Sequence, residues 1–185
     1  AVIVVDWKRA SGRSVDFEYR ATVDDKLVTQ NVPDGSSFSM SVTAQQYDVV
    51  EVSQTNSADA DLDATITNPG GDEVASATLS PDEILSIVAW SAGDYQVDLA
   101  NDTGGAIDIS VSYKIHPVTQ FGTPGANSRV EIGPNSLVDN QLRTGVIDAE
   151  AGTVLELSHD NGNGEEGGIY IYDETGSEID SDTTI

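Results

Sequence analysis

The chain lacks cysteine and is poor in basic residues. Its 185 residues include no Cys, one Met and only 8 Lys and Arg together. Without Cys there are neither disulfide bonds nor thiolate chemistry. No apolar run approaches the roughly 18–20 residues that span a membrane as a helix. The shortage of Lys and Arg excludes the phosphate contacts on which nucleic-acid binding depends, so no nucleic acid is expected as a partner.

Acidic residues are present in large excess. The chain has 32 Asp and Glu and a formal net charge of −24. Self-repulsion of this size opposes compaction in ordinary buffer, and salt near 1 M, with a Debye length of about 3 Å, screens most of it. Intrinsic disorder is a poor explanation, because 38% of the residues are hydrophobic and they recur in alternating runs. The composition predicts a folded protein that works in multimolar salt, as in an extreme halophile.

The first 26 residues differ from the rest in charge. They hold five basic and five acidic residues, a net charge of 5 − 5 = 0, so the remaining residues carry 3 − 27 = −24. Pairing with neighbouring acids is one interpretation of the basic residues. The alternative hypothesis is a contact with an anionic partner, such as lipid headgroups or an acidic subunit, through Lys8, Arg9 and Arg13.

Alternation of apolar and polar residues with a period of two dominates the sequence. It recurs in residues 15–23, 49–53, 62–67, 95–100, 107–115, 154–158 and 168–172. Turn sequences rich in Gly, Pro and Asn separate these runs, for example at residues 33–35, 68–71 and 101–105. We therefore predict an all-β fold, a single jelly-roll β-barrel or sandwich of about eight or more antiparallel strands with little helix.

Residues 80–90 carry two conflicting signals. Ser80, Pro81 and Glu83 have the spacing of a helix N-cap, a first-turn proline and a capping-box glutamate. The residues that follow are short and β-branched. We predict a turn and then a buried strand that ends near Trp90, with a short helix as the alternative.

We predict one domain over residues 1–185, with a long crossing loop at about 116–128. The roughly 60 residues after this loop are few for an independent core. When the sequence is aligned with itself at an offset of 105 residues, Ile66 coincides with Ile171 and Gly71 with Gly176. Either similar β units converge on such features, or two equivalent units occupy matched places in one sandwich.

The sequence contains no recognisable catalytic motif. His116 and His159 stand outside any nucleophile or metal motif, so we expect no enzyme activity, no catalytic residue and no cofactor. Asp59, Asp61 and Asp63 are weak calcium candidates, because hard cations prefer oxygen ligands, although solvated loops explain these residues as well.

One glycosylation sequon is present. Asn101, Asp102 and Thr103 form the only N-x-[ST] sequence of the chain, in a predicted turn between two strands. A turn of this kind accommodates an oligosaccharide, so the sequence makes Asn101 a candidate for modification.

Two segments, residues 1–9 (AVIVVDWKR) and 93–101 (GDYQVDLAN), carry a resemblance to a known family. With the size, acidity and strand count, they resemble the smaller of the two single-jelly-roll major capsid proteins of icosahedral haloarchaeal viruses with an internal membrane. This resemblance implies an upright β-barrel in the capsid shell of a virion. It also implies homo- and hetero-oligomeric capsomers with a larger sister capsid protein, close to the viral membrane.

The same region supports an alternative. Residues 93–99 and 107–113 are also similar to β-sandwich modules appended to secreted haloarchaeal hydrolases. That resemblance implies an extracellular binding or accessory module, acting on carbohydrate or a partner as a monomer. The capsid protein is the preferred prediction, and the extracellular module is the alternative.

Overall fold

The computed structural model describes residues 2–7, 26–122, 141–148 and 167–184. These residues contain strands and turns but no helix, so the all-β prediction is confirmed. The strands are β1 (Val2–Trp7), β2 (Lys26–Val32), β3 (Ser36–Ala44), β4 (Val49–Asn56), β5 (Leu62–Thr67), β6 (Glu73–Leu79), β7 (Ile84–Val88), β8 (Gly93–Asn101), β9 (Ile107–His116), β10 (Thr119–Gly122), β11 (Gln141–Ile147), β12 (Gly167–Tyr172) and β13 (Glu178–Thr184).

Residues 22–116 form one compact unit, which we call the jelly-roll unit. Its strands β2 to β9 make two four-stranded antiparallel sheets, in the orders β2-β9-β4-β7 and β3-β8-β5-β6. Apart from the β5–β6 hairpin, the neighbours in both sheets are strands that are not consecutive in sequence, because the chain passes repeatedly from one sheet to the other. This connectivity is that of a jelly roll of two interleaved Greek keys. The predicted fold class is therefore confirmed.

The core lies between the two sheets of the jelly-roll unit. Strand β8 shows how the sequence produces it: Tyr95, Val97 and Leu99 are buried, while the residues between them point outward. Phe38 and Ile109 are also fully buried in this cluster. Removing each such side chain from water contributes about 1.5–3 kcal/mol, so the alternation specifies which face of each strand is inside.

The segment around Ser80 forms a turn and then strand β7, as predicted, and no helix. The Ser80 N–H donates to Glu83 Oε2 at 2.9 Å, and the Glu83 N–H donates to the Ser80 carbonyl at 3.1 Å. Asp82 has a left-handed backbone with φ of 67°, which ends any helical turn there. Trp90 is half-buried after β7 and packs edge-on against Tyr47, with ring centroids 6.1 Å apart.

The second compact unit, which we call the terminal unit, combines residues 1–21 with residues 117–185. Its described strands form one sheet in the order β10-β11-β1-β12-β13. Strand β1 is antiparallel to both β11 and β12, and β10 is parallel to β11. The predicted loop at 116–128 is partly wrong, because strand β10 lies inside it. Residues 123–128 are outside the described residues.

The chain passes between the two units twice, after residue 21 and after residue 116, where the predicted crossing loop begins. The 105-residue repeat is confirmed for one hairpin, since β5–β6 and β12–β13 pair in corresponding registers. The two hairpins belong to different sheets and different units, and their matched places in one sandwich stay a hypothesis. The prediction of a single domain over residues 1–185 stays a prediction.

Candidate functional site

The outer face of the β3-β8-β5-β6 sheet is lined by hydroxyl, carboxylate and amide groups. These side chains alternate with core residues along each strand, because successive side chains of a strand point to opposite sides. They are all exposed or half-buried. We call this surface the polar sheet face, and its residues are Ser39, Ser41, Thr43, Asp63, Thr65, Thr67, Ser76, Thr78, Asp94, Gln96 and Asp98.

Hydrogen bonds between neighbouring strands orient the side chains of β3 and β8. The Ser39 hydroxyl donates to Asp98 Oδ1, directly across the strand pair. The Thr43 hydroxyl donates to Asp94 Oδ1 at 2.5 Å, and Gln96 Nε2 donates to Asp98 Oδ1 at 3.3 Å. Because each carboxylate accepts a hydrogen bond from a hydroxyl, the position of each carboxylate is fixed within the sheet.

The other half of the polar sheet face contains one of the calcium candidates. Asp63 lies on β5 and accepts a hydrogen bond from the Thr78 hydroxyl at 2.7 Å. Asp59 lies in the turn before β5 with φ of 52°, and Asp61 is exposed just before the strand. Within the described ranges, no group of three or more His, Asp or Glu is arranged to hold a metal ion. Calcium binding by these residues stays a prediction.

The centre of the polar sheet face is a row of neutral groups. Gln96 on β8 stands opposite Ser41 on β3 and Thr67 on β5. Neighbouring strands are about 4.8 Å apart, so this row extends about 10 Å across the sheet. The four strands contain no Lys, Arg or His. The surface therefore offers hydroxyl donors, amide groups and carboxylate acceptors without any cationic side chain.

A buried contact between a histidine and a glutamate lies in the other sheet of the jelly-roll unit. His116 Nε2, at the end of β9, is 2.8 Å from Glu51 Oε2 on β4, and the two side chains are 8% and 4% exposed. Among the described residues Nε2 has no hydrogen bond of good geometry. Polar groups removed from water to this degree require partners within the protein, and these two side chains lie against each other. The contact therefore joins β4 to β9.

Asn101 is structural, and the sequence-based suggestion that it accommodates an oligosaccharide is corrected by its burial. Its side chain is fully buried. Nδ2 donates to the carbonyls of Val32 at 2.8 Å and Gly105 at 2.9 Å, and Oδ1 accepts from the Thr103 N–H and hydroxyl. Glycosylation would replace one of the two Nδ2 hydrogens, so one of these two carbonyls would lose its donor.

Several predicted positions lie outside the described residues. They are Lys8, Arg9, Arg13 and His159. The anionic contact through the three basic residues therefore stays a prediction. Helices long and apolar enough to cross a membrane are absent from the parts of the chain that are described.

No protein-family model matches the chain, and no curated protein matches it. Some solved structures are similar to part of the chain. The PliG inhibitor of g-type lysozyme from Aeromonas hydrophila, a periplasmic protein, is 11% identical with a TM-score of 0.44, covering 55% of this chain and 95% of the inhibitor. The Salmonella Typhimurium PliG is 19% identical with a TM-score of 0.39, covering 57% of this chain and 99% of the inhibitor.

A third similar structure is a mutant of the family 29 carbohydrate-binding module CBM29-2, complexed with cellulohexaose. It is 15% identical with a TM-score of 0.32, covering 62% of this chain and 89% of the module. At these identities and TM-scores none of the likenesses carries an argument about function. The functional conclusion therefore depends on the surface of this chain.

Sequence reasoning missed most of the polar sheet face. Strand β3 was not predicted, although Ser39, Ser41 and Thr43 alternate with buried Phe38 and Val42 and half-buried Met40 in the expected manner. Its apolar positions are few and its polar residues are small, so the pattern resembles a loop. One signal in the sequence could have found this strand. Ser39, Ser41 and Thr43 recur at every second position, as Asp94, Gln96 and Asp98 of β8 do.

Proposed function

We propose that the chain is an extracellular binding module of the accessory kind, and that its polar sheet face binds a neutral carbohydrate. The observation that carries this proposal is the set of hydroxyl, amide and carboxylate groups held in register across four strands. Carboxylates such as Asp94 and Asp98 accept hydrogen bonds from sugar hydroxyls, and Ser41, Gln96 and Thr67 both donate and accept.

The charge of the chain favours a neutral ligand over a charged one. At the salt of about 1 M or more that a net charge of −24 predicts as the working condition, the Debye length is about 3 Å, so attraction to a basic partner is largely screened. Hydrogen bonds to uncharged hydroxyls depend on short-range geometry and keep their strength. The face is also long enough for an extended chain of sugars, because β3 and β8 have 9 residues each.

Binding of soluble polysaccharides tests the proposal. The full chain is run in native gels, and titrated in a calorimeter, at multimolar salt with a panel of neutral polysaccharides. We expect binding to at least one, and a loss of about tenfold or more in affinity for the Gln96→Ala and Asp94→Ala variants, as removal of one or two hydrogen bonds predicts. The matched controls are Ser110→Ala and Thr29→Ala, which alter a hydroxyl pair on the outer face of the other sheet.

Two results would contradict the proposal. One is the absence of binding to every polysaccharide in the panel, and the other is an equal loss in the controls. The capsid prediction is examined with the same preparation, because a capsid protein forms assemblies of high mass. Sedimentation of the chain as particles or capsomers at multimolar salt would favour the capsid protein over the binding module.

A further inference from the structure

The hairpin of the terminal unit corresponds closely to a hairpin of the jelly-roll unit. In β5–β6, Leu62 pairs with Leu79, and in β12–β13, Gly167 pairs with Thr184. A shift of 105 residues therefore converts one set of pairs into the other. In both hairpins the register shifts once, at the last pair before the turn.

The strand beside each hairpin corresponds as well. In the jelly-roll unit, β8 lies beside β5 with Asp98 opposite Thr65. In the terminal unit, β1 lies beside β12 with Val4 opposite Tyr170. Tyr170 corresponds to Thr65 by the shift of 105, and so Val4 occupies the place of Asp98. Strand β1 thus takes the position that β8 has in the jelly-roll unit.

The correspondence continues on the far side of β1. Asp98 of β8 is opposite Ser39 of β3, and Val4 of β1 is opposite Thr144 of β11. Ser39 and Thr144 are again 105 residues apart. The order β11-β1-β12-β13 therefore matches the order β3-β8-β5-β6, register by register. The terminal unit contains a second copy of this sheet with β1 in the place of β8.

The sequence after β1 supports this equivalence independently of the pairing. Val4 and Asp98 differ by 94 residues, and the same shift aligns the alternating residues before 20 with those of β9. The aligned residues are Val15 with Ile109, Phe17 with Val111, and Tyr19 with Tyr113. Strand β1 is thus followed by a segment similar in sequence to the strand that follows β8.

The two units differ in how β8 and β1 are connected along the chain to the strands beside them. Strand β8 follows β6 and β7 within the same unit, so a short stretch of chain holds it beside its partners. Strand β1 is joined to β11 through residues 8–140, which include the whole jelly-roll unit. Loop closure becomes more costly with length, roughly as (3/2)RT ln n, so β1 is held to its partners less effectively than β8.

We propose that the slot between β11 and β12 also accepts strand β1 from a second copy of this chain, so that copies exchange this strand. The exchanged strand forms the same pairs as the chain's own β1, and identical contacts make such an exchange inexpensive in free energy. The run Val2-Ile3-Val4-Val5 is uncharged and β-branched, which suits a strand added between two others. This inference does not depend on the polar sheet face.

Engineered cysteines test the exchange, because the natural chain has none. Directly opposed residues of antiparallel strands lie near the separation that a disulfide needs. The first variant, Val4→Cys with Tyr170→Cys in one chain, should form an internal disulfide at low protein concentration. The second experiment mixes a Val4→Cys chain with an isotope-labelled Tyr170→Cys chain at high concentration, with slow oxidation in multimolar salt.

The corresponding pair of the jelly-roll unit provides the control. A mixture of Asp98→Cys and Thr65→Cys chains should give little linkage between chains, because β8 is held within its own unit. We expect the disulfide between positions 4 and 170 of different chains to exceed this control by about tenfold, and its fraction to rise with protein concentration. Mass spectrometry of the linked peptides identifies the pair.

Each alternative result decides against the inference. If the Val4→Cys, Tyr170→Cys double variant forms no internal disulfide, β1 does not occupy the slot. If that disulfide forms but the mixture never exceeds the control at any concentration, the strand is not exchanged. Neither result bears on carbohydrate binding, which is measured on a different surface.

Discussion

Asn68 and Asp173 occupy the same position in two turns with the same hydrogen bonds. The Asn68 N–H donates to the Asp72 carbonyl at 2.8 Å, and the Asp173 N–H donates to the Ser177 carbonyl at 2.9 Å. The side-chain oxygens of Asn68 and Asp173 then accept the N–H of Asp72 and Ser177, at 2.9 and 3.0 Å. The two turns are thus equivalent in geometry, but the side chain that accepts these N–H groups is ionisable only at Asp173.

The first prediction concerns the acid sensitivity of the turn at Asp173. Hydrogen bonds from the Thr175 hydroxyl, and then from the Ser177 and Thr175 N–H groups, hold the pKa of this carboxyl below its ordinary value of 3.8. A group whose pKa is lower in the folded state than in the unfolded state contributes stability to the fold. This stability is fully present above the unfolded-state pKa and is lost as the pH falls through the folded-state pKa. The Asp173→Asn variant keeps the acceptor oxygen, so we expect it to lose this part of the acid dependence.

The measurement is the free energy of unfolding of both proteins as the pH falls below 3.8, with the wild-type curve compared with the variant curve. The other turn provides a converse experiment. The triple variant Asn68→Asp, Gly70→Thr and Asp72→Ser places the Asp, Thr and Ser of the Asp173 turn at the corresponding positions of the jelly-roll unit, and it should add an acid-sensitive step. Parallel curves for wild type and Asp173→Asn would contradict the assignment.

The second prediction concerns Gly93 at the start of β8. Its φ is 144°, and a Cβ at this position would lie 2.8 Å from Pro69 Cγ. A side chain there meets both an unfavourable backbone conformation and a rigid ring, so Gly93→Ala should cost about 1–3 kcal/mol of stability. Denaturant unfolding at fixed multimolar salt measures the change.

Two other glycines separate these causes. Gly71 has φ of 91° with open space around it, so Gly71→Ala isolates the cost of the backbone conformation. Gly105 has open space and no positive φ, so Gly105→Ala should change stability by no more than about 0.5 kcal/mol. A Gly93→Ala protein as stable as Gly105→Ala would show that the contact with Pro69 relaxes freely.

The third prediction concerns Asn101. The Asn101→Ala variant leaves the carbonyls of Val32 and Gly105 without their buried donor, so we expect a loss of about 2 kcal/mol or more. Asn31→Ala is the matched control, because the Asn31 amide is exposed and donates to Asp108 at 2.8 Å. Its loss should be within about 0.5 kcal/mol. In a host that glycosylates N-x-[ST] sequons, the intact mass should show an unmodified chain.

The fourth prediction concerns salt. Raising KCl from about 0.1 M to about 1 M shortens the Debye length from about 10 Å to about 3 Å, so the free energy of unfolding should rise steeply. Asp63 and Asp98 are diagonal neighbours on adjacent strands, a relation that places such residues about 7 Å apart. The free energy of unfolding of the Asp98→Asn variant should therefore rise less steeply with salt concentration than that of the wild type.

An acid in a loop is the control for this effect. Asp102 is exposed outside the sheets, so Asp102→Asn removes the same charge without removing a close neighbour on the polar sheet face. Its salt dependence should stay near that of the wild type. If both variants changed the slope equally, total charge rather than local repulsion would set the salt requirement.

The sequence predicted the strands with strong alternation and missed those with weak alternation. The prediction of 62–67 coincides with β5, and those of 95–100 and 107–115 lie within β8 and β9. In these strands large β-branched or aromatic residues recur at every second position. Strand β3 was missed, because serine, threonine and alanine take most of its positions. Its pairing comes from β8, a neighbour that a local pattern does not contain.

The amino-acid sequence by itself determined the all-β class, the main turns and the acidic character of this protein. These properties follow from composition and from the period of the side chains, which are local. Tertiary structure decided the rest: the place of β1 between β11 and β12, the burial of Asn101, and the assembly of the polar sheet face from four strands. Each depends on which distant segments become neighbours, and that is settled by the free energy of the whole packed chain.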